Sequence, residues 1–210
     1  MAETKFDPKS TALLVIDMQN DLVKDEVGLF SGVYKMVQSK GVIGNIARVV
    51  KAARNRGVPI IHVKSIHRAD GSDVFQTITD FMLEGLMPPP SEMPPRMVEG
   101  TKGADFIDEI RPEPGDYVIE KRRSNAFHGT DLELLLRTRG IDTLLVGGVI
   151  TSGCVENTVR GARDLGFHTI VLSDCCADMM EESDRYPLTN TFRRSGRVRS
   201  SDEVIAAMKG

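Results

Sequence analysis

The sequence contains no tryptophan, few other aromatic residues and no excess of positive charge. Aromatic residues make up 5% of the 210 positions, and the formal net charge is -3. Proteins that bind single-stranded nucleic acids stack the bases on aromatic side chains, and nucleic-acid-binding domains in general present a strongly basic face. We therefore expect no nucleic-acid partner.

The sequence also lacks long apolar runs and a paired set of cysteines. No run approaches the roughly 20 apolar residues of a membrane span, and the N-terminal MAETKFDPKS has no apolar segment typical of a secretory signal. The cysteines are Cys154, Cys175 and Cys176, and adjacent cysteines bridge only with strain. We expect a cytoplasmic protein with no membrane partner, in which Cys175 and Cys176 pack at the end of a strand.

Short apolar runs alternate with helical patterns along most of the chain. Continuous apolar runs indicate buried strands, and apolar residues three and four positions apart indicate one face of a helix. This alternation is typical of a parallel sheet covered on both faces, and the length favours a single domain over residues 1–210. The predicted strands span residues 11–17, 58–64, 116–121, 142–149 and 168–174, and the predicted helices span residues 42–57, 130–140, 154–166 and 202–208.

A proline-rich segment, residues 87–103, interrupts this alternation and holds five of the ten prolines. One interpretation is a linker between domains. The other is an ordered excursion of polyproline type over the mouth of a site or over a subunit surface. We favour the second, because both flanks belong to one alternating pattern.

Three reactive residues follow predicted strands: Asp17, Lys121 and Cys154. Ligands of parallel sheets bind beyond the carboxyl ends of the strands. A helix N-terminus or a nearby cation lowers the pKa of a thiol, so a helix that begins at Cys154 and the ammonium of Lys121 would both activate the sulfur. Asp17 would take the thiol proton and return it to a leaving amine. Backbone N–H groups around Ile150 and Cys154 would hold an oxyanion during attack on a carbonyl carbon.

Each of these residues also has a structural interpretation. A lone cysteine after a strand is commonly a small core residue, and an aspartate at a strand end is commonly a turn or cap residue. Lys121 begins the polar stretch KRRS, which fits a solvated run of charge. Spacing alone leaves both sets of interpretations open.

The segments LLVIDMQNDLV, VIEKRRSNAFHGTDLELLL and GVITSGCVENTVRGARDLGF follow one another along the chain. They resemble three segments of the isochorismatase-like cysteine hydrolases, and most closely those of the N-carbamoylsarcosine amidohydrolase type. The likeness covers most of the chain and is weakest across residues 66–112. It implies an α/β fold, a Rossmann-like three-layer sandwich with a central, mostly parallel sheet and helices on both faces. It also implies a catalytic triad of Asp17, Lys121 and Cys154.

The resemblance has two further structural implications. It implies a cis peptide bond between Val149 and Ile150, which would turn the Ile150 N–H toward a substrate oxygen, so that Ile150 and Cys154 form an oxyanion hole. It also implies that the protein forms a homodimer or homotetramer.

The resemblance narrows the reaction as well. Isochorismatases proper cleave a vinyl ether and do not need the cysteine, so Cys154 favours C–N hydrolysis of a small carbamoyl (ureido) or amide substrate through a thioester, with release of ammonia. The alternatives are an isochorismatase-like or nicotinamidase-like hydrolase of the same fold, or a non-enzymatic thiol sensor or binding module. Nicotinamidases bind a metal through an Asp-x-His signature, whereas Ser65 stands in the place of that acid, ahead of His67. We expect neither a metal nor another cofactor.

Gln19, Phe127 and Thr151 are candidate substrate-binding residues. Gln19 lies two positions after Asp17 and faces the same side if the strand continues, although a surface turn is the alternative. Phe127 either walls the pocket or fills the core. Thr151 immediately follows the implied cis peptide bond.

Four basic residues remain open between a role in the site and a structural role. Arg68 and Arg122 could pair with a substrate carboxylate through their guanidinium forks, and surface placement is the alternative. His62 and His67 are five positions apart, so an unbroken strand would place them on opposite faces. His67 is either a hydrogen-bonding residue at the pocket edge or an exposed side chain.

Overall fold

Six strands form one central sheet in the computed structural model, which describes residues 6–209. All neighbouring pairs of strands are parallel, which confirms the predicted fold class. Parallel neighbours require long crossover connections, and helices supply them. The strands are β1 (Thr11–Ile16), β2 (Ile60–Ser65), β3 (Tyr117–Lys121), β4 (Thr143–Val149), β5 (His168–Ala177) and β6 (Arg197–Arg199), in the spatial order β3-β2-β1-β4-β5-β6.

Helices and short helical turns connect these strands. The α-helices are α1 (Asn20–Val23), α2 (Ser31–Lys40), α3 (Val42–Asn55), α4 (Asp80–Leu83), α5 (Leu132–Thr138), α6 (Glu156–Asp164), α7 (Glu181–Tyr186), α8 (Phe192–Ser195) and α9 (Ser201–Lys209). Short 3-10 turns span Pro8–Ser10, Pro90–Glu92, Lys102–Ala104 and Asp108–Ile110, and wider π-type turns span Thr151–Val155 and Pro187–Thr191. None of the described helices is long and apolar enough to cross a membrane.

The central strand β1 divides the interior into two cores. Successive strand side chains point to opposite faces of a sheet. Leu13 and Val15 therefore pack with the apolar faces of α2, α3 and α9, whereas Ala12, Leu14 and Ile16 pack with those of α5, α6 and α8. The result is the expected three-layer arrangement.

The direction of strand succession reverses between β1 and β4. The chain adds β2 and β3 on one side of β1, and β4, β5 and β6 on the other. In open parallel sheets the crevice for a ligand lies outside the carboxyl ends of the strands at such a switch point. Asp17 follows β1 and Ile150 follows β4, so both flank that crevice.

The structure differs from the predicted elements at several points. Neither α2 nor β6 was predicted, because α2 buries only two apolar residues and β6 has three residues. β5 extends to Ala177, past a register shift against β4. The helix predicted to begin at Cys154 begins at Glu156 instead, after the irregular turn Thr151–Val155.

Candidate active site

The structure brings Asp17, Lys121 and Cys154 together at the carboxyl edge of the sheet. Lys121 Nζ lies 2.8 Å from Asp17 Oδ2 and donates a hydrogen bond of 3.2 Å to Cys154 Sγ. Asp17 and Lys121 are each 1% exposed, and Cys154 is half-buried. One ammonium therefore contacts both a carboxylate and a thiol that is partly open to solvent.

Ser65 is a fourth polar residue in this cluster. Its hydroxyl accepts a hydrogen bond of 2.7 Å from Lys121 Nζ and donates one of 3.2 Å to Asp17 Oδ1. A hydroxyl can donate once and accept twice, so both bonds form at the same time. Sequence reasoning noted Ser65 only as a replacement for a metal-binding acid, and its place at the end of β2 was the available signal.

The backbone at Asp17 leaves the strand conformation. Its φ is +54°, a left-handed value that few residues other than glycine, asparagine and aspartate adopt. This conformation ends the alternation of β1. Gln19 is fully buried, and its side-chain amide bonds to the Ser65 backbone N–H and C=O at 2.8 Å each and to the Ala104 C=O at 2.8 Å. Its amide therefore binds the backbone at the end of β2, and its contact with substrate stays a prediction.

The cysteine lies on a turn that begins with a cis peptide bond. The bond between Val149 and Ile150 is cis, at the position that the resemblance implies. The Ile150 carbonyl accepts hydrogen bonds from the N–H groups of Gly153 and Val155. Within residues 6–209 we find no protein acceptor for the Ile150 N–H itself, which leaves that donor available to an oxyanion.

Two buried acids accept hydrogen bonds from the turn that carries Cys154. Asp178 Oδ2 accepts a hydrogen bond of 2.7 Å from the Ser152 N–H. Asp184 Oδ1 accepts one of 2.5 Å from the Thr151 hydroxyl, while Asp184 Oδ2 pairs with Lys40 Nζ at 2.6 Å. These contacts fix the backbone between Ile150 and the cysteine. Sequence reasoning missed both acids, since neither belongs to a recognisable short motif.

The hydroxyl of Thr151 therefore already donates its hydrogen bond to Asp184. Thr151 is fully buried, and its only described side-chain hydrogen bond goes to Asp184. Its hydroxyl thus binds a buried acid of the protein, and its contact with substrate stays a prediction.

Phe127 is half-buried and packs against the core formed by α5, α6 and α8. Its ring stacks on that of Phe167 with the centroids 5.7 Å apart. This agrees with the alternative that it fills the core, and its contact with substrate stays a prediction.

The pKa of the Cys154 thiol is shifted in the direction opposite to the one that the sequence predicted. Burial and the charge of Asp17 raise it, Lys121 opposes both effects, and the result is a pKa of about 12. The predicted lowering assumed a helix that begins at the cysteine, but the regular helix begins two residues later. At rest the sulfur is therefore a protonated thiol.

Lys121 keeps its charge in spite of its burial. Burial alone lowers the pKa of a lysine, but the neighbouring Asp17 and Cys154 raise the pKa of Lys121 above its ordinary value. A buried ammonium with a buried carboxylate beside it is an ion pair in which each charge depends on the other.

Residues 68–103 cover the edge of the sheet beside this cluster. Asp73 pairs with Arg122 Nε at 2.9 Å and accepts the Arg68 N–H at 3.0 Å. The His67 N–H donates to the Met97 carbonyl, and the Glu99 N–H donates to the His67 carbonyl. Residues 87–103 are thus an ordered excursion, as favoured from the sequence, and Arg122 holds the part that precedes them through Asp73. A cavity of about 310 Å³ lies within residues 67–98, lined in part by His67, Arg68 and Arg96.

His62 and His67 lie in separate surroundings. His62 is fully buried, 3.3 Å from Asp116 through Nε2, with its ring edge against Phe106. His67 lies past the end of β2, with Nδ1 3.7 Å from Asp73. Burial lowers the pKa of both imidazoles below the ordinary value, so both are neutral at pH 7. Cys175 and Cys176 are buried free thiols in β5, as predicted.

Comparison with known proteins agrees with this architecture. A family model described as the isochorismatase domain matches residues 11–203. A ureidoacrylate amidohydrolase of Pantoea ananatis is 33% identical over 174 residues, which cover 80% of this chain and 70% of that protein. An N-carbamoylsarcosine amidase of Arthrobacter sp. is 34% identical over 164 residues, which cover 78% of this chain and 60% of that protein.

A solved structure shows the same fold over nearly the whole length. It is that of an isochorismatase family protein from Burkholderia thailandensis, with a TM-score of 0.80, 29% sequence identity and coverage of 98% of each chain. The family match and the shared fold show that this chain belongs to the isochorismatase family and is a hydrolase.

Proposed function

We propose that this protein is a cysteine-dependent amidohydrolase that cleaves a C–N bond of a small carbamoyl (ureido) or amide substrate through a thioester and releases ammonia. The observation that carries the proposal is the convergence of three groups from distant segments. The Lys121 ammonium lies within 3.2 Å of the Cys154 sulfur and 2.8 Å of the Asp17 carboxylate. The assignment of Asp17, Lys121 and Cys154 as catalytic residues is part of this proposal.

The first half of the reaction forms the thioester. Cys154 Sγ attacks the carbonyl carbon while the thiol proton passes to the Asp17 carboxylate, and the carbonyl oxygen becomes an oxyanion. The N–H groups of Ile150 and Cys154 donate to that oxyanion, and Lys121 balances the negative charge that moves between sulfur and carboxylate. Collapse of the tetrahedral intermediate breaks the C–N bond, and Asp17 returns its proton to the departing nitrogen, which leaves as ammonia.

The second half hydrolyses the thioester. Asp17, again a carboxylate, takes a proton from water as the water oxygen attacks the acyl carbon. Collapse of the second tetrahedral intermediate breaks the C–S bond, and the proton returns to the sulfur. The products are an acid and the regenerated thiol.

The high pKa of Cys154 determines at which step the thiol loses its proton. With a pKa of about 12, only about one thiol in 10⁵ is ionised at pH 7. The thiolate therefore forms as the substrate is attacked rather than beforehand. Asp17 is the group placed to receive the proton.

The relatives support the substrate class. The names of two of them specify hydrolysis of a ureido or carbamoyl compound. Carbamoyl and simple amide groups are small, and they place a carbonyl carbon next to a nitrogen that can leave as ammonia. We assign this class of substrate to the present chain as part of the proposal.

An ammonia-release assay over a panel of small ureido and amide acids tests the proposal. We expect the wild-type protein to release ammonia from at least one compound. Cys154→Ala should abolish the release, because the alanine has no atom that can form the thioester. Cys175→Ala is the matched control, since this buried thiol packs in the core beside α3 and its described side-chain hydrogen bond goes to Asp174, so it should leave turnover unchanged.

Two outcomes would contradict the proposal. Ammonia release that survives Cys154→Ala would exclude the thioester. A wild-type protein that cleaves no amide, but whose Cys154 is oxidised reversibly by peroxide, would favour a thiol sensor or binding module instead.

A further inference from the structure

Ser65 lies between the two charged residues of the site because of the order of the strands. Lys121 ends β3, Ser65 ends β2 and Asp17 follows β1, and these strands are neighbours in that order. Ser65 is directly paired with Lys121 in the β2–β3 register. Neighbouring strands are about 4.8 Å apart, so the backbones that carry Lys121 and Asp17 are separated by the width of one strand, and Ser65 stands on that strand.

The Ser65 hydroxyl makes one directed contact with each charged neighbour. It accepts from Lys121 Nζ at 2.7 Å and donates to Asp17 Oδ1 at 3.2 Å. Hydrogen bonds to charged groups are roughly twice as strong as those between neutral groups. The hydroxyl therefore stabilises the charged form of both residues.

The two oxygens of Asp17 have different partners. Oδ1 accepts the hydrogen bond of the Ser65 hydroxyl, and Oδ2 lies 2.8 Å from the Lys121 ammonium. The carboxylate is therefore held at both oxygens, and each oxygen keeps a lone pair that can accept a further proton.

Gln19 fixes the serine in this place. Its side-chain amide bonds to both the N–H and the C=O of Ser65, each at 2.8 Å, and it is itself fully buried. The amide cannot form both bonds if the Ser65 backbone rotates, so the hydroxyl is held toward the cluster.

We propose that Ser65 is a positioning residue of the hydrolytic site: its hydroxyl binds Asp17 Oδ1 and the Lys121 ammonium, and thereby holds the Asp17 carboxylate in the orientation in which it exchanges the proton with Cys154. This inference rests on the proposed amidohydrolase function. In the reaction, the Cys154 S–H bond breaks and an O–H bond forms on the Asp17 carboxylate, and the same proton later moves to the leaving nitrogen.

This role of Ser65 predicts a specific change in the pH dependence of hydrolysis. The charged or titratable groups that face the cluster are Asp17, Lys121 and Cys154. His67 lies past the end of β2, where burial and, to a smaller extent, the charge of Lys121 lower its pKa. Loss of the hydroxyl removes a donor from a carboxylate, so the acid limb of the kcat/KM profile moves to higher pH. It also removes an acceptor from the ammonium, so the basic limb moves to lower pH.

The variants Ser65→Val and Ser65→Thr form the test, because they have nearly the same shape and differ in one hydroxyl. For Ser65→Val we expect kcat/KM at neutral pH to fall by about tenfold or more, and the bell-shaped profile to narrow by about one pH unit. Ser65→Thr should recover most of the rate and the width. Ser39→Ala on the exposed side of α2 is the control, with an unchanged profile.

A purely structural role predicts a different result. In that case Ser65→Val and Ser65→Thr would lower the rate equally and leave both limbs where they are, and the proposal would be overturned. The same holds if Ser65→Val has the wild-type profile.

A second measurement needs no substrate, so it separates this inference from the proposed function. Urea unfolding is compared for Ser65→Ala in the wild-type background and in the Asp17→Asn, Lys121→Met background. We expect the serine substitution to lower the unfolding midpoint clearly in the first background and much less in the second, because both charged partners of the hydroxyl are absent there. Equal losses in both would overturn the proposal even if ammonia release is established, and unequal losses would support it even if no amide in the panel is cleaved.

Discussion

Asp17 and Lys121 show how burial governs the chemistry at the level of single residues. Both side chains are almost completely buried, and water therefore solvates neither charge. Each charge is stabilised by the other and by the Ser65 hydroxyl. Removing one member leaves an uncompensated buried charge, so the properties of Cys154 depend on which member is removed.

Asp17→Asn is expected to move two properties of the site in opposite directions. Ammonia release should fall by about 10²–10⁴-fold, because an amide cannot take the thiol proton. The pKa of Cys154 should fall at the same time, since the charge of Asp17 raises it and Lys121 lowers it. The rate of Cys154 alkylation by iodoacetamide at pH 8, followed by mass spectrometry, should therefore increase.

Asp142→Asn is the control for that measurement, since Asp142 lies at the opposite, amino end of β4. It should alter neither the rate of ammonia release nor the rate of Cys154 alkylation. Alkylation of Asp17→Asn that is slower than that of the wild type would show that the carboxylate does not disfavour the thiolate.

The turn Thr151–Val155 is the element that carries Cys154, the proposed nucleophile. It is irregular rather than α-helical, and Asp178 and Asp184 hold it through Ser152 and Thr151. Asp184 also pairs with Lys40 at the end of α2. The helices α7 and α2, both distant in sequence from the turn, therefore help to determine the direction of the Ile150 N–H.

Thr151→Val tests the contribution of this contact. The valine preserves the shape of the side chain but removes the donor to Asp184, which leaves a buried carboxylate oxygen without that partner. We expect the free energy of unfolding to fall by about 1–3 kcal/mol. We also expect kcat to decrease more than KM changes, because the Ile150 donor is less well held during attack.

Urea unfolding and steady-state ammonia release measure these two effects. Thr138→Val, at an exposed position of α5, is the matched control. It should change neither the free energy of unfolding nor kcat by a comparable amount. A Thr151→Val protein with wild-type kcat would show that the Asp184 contact is not needed for turnover.

The close approach of β1 and β4 is a property of the whole molecule, because it joins the two halves of the sheet. Gly148 has a φ of +133°, and a Cβ placed there would lie 2.0 Å from the Ile16 carbonyl oxygen. Only glycine allows the two strands to meet at this distance.

Gly148→Ala and Gly44→Ala should have opposite effects on thermal stability. At Gly148 the new methyl group collides with the backbone, so we expect a loss of more than about 4 kcal/mol or failure to fold. Gly44 lies on the exposed side of α3 with open space around it, so alanine should stabilise the helix by about 0.5–1 kcal/mol. Thermal unfolding followed by circular dichroism measures both, and equal effects would contradict this account.

The assembly of the molecule remains a prediction from the family resemblance. We expect a homodimer or homotetramer, and size-exclusion chromatography with light scattering measures it directly.

The sequence by itself determined the strands that matter for the site. Apolar runs and helical spacing are local patterns, and they follow from which residues avoid water. They placed Asp17, Lys121 and Cys154 at the ends of β1, β3 and β4, within one or two residues of the observed bounds in the first two cases. The family resemblance supplied the position of the cis peptide bond between Val149 and Ile150.

The tertiary structure alone decided which polar groups meet. Strand order placed Ser65 between Lys121 and Asp17, and the left-handed backbone at Asp17 ended the alternation of β1 before Gln19, whose amide binds the backbone at the end of β2. The pKa of Cys154 was predicted in the wrong direction because the cost of ionising a thiol depends on how much water its neighbours exclude. Burial and contacts between distant segments are properties of the packed chain, and no local pattern of residues contains them.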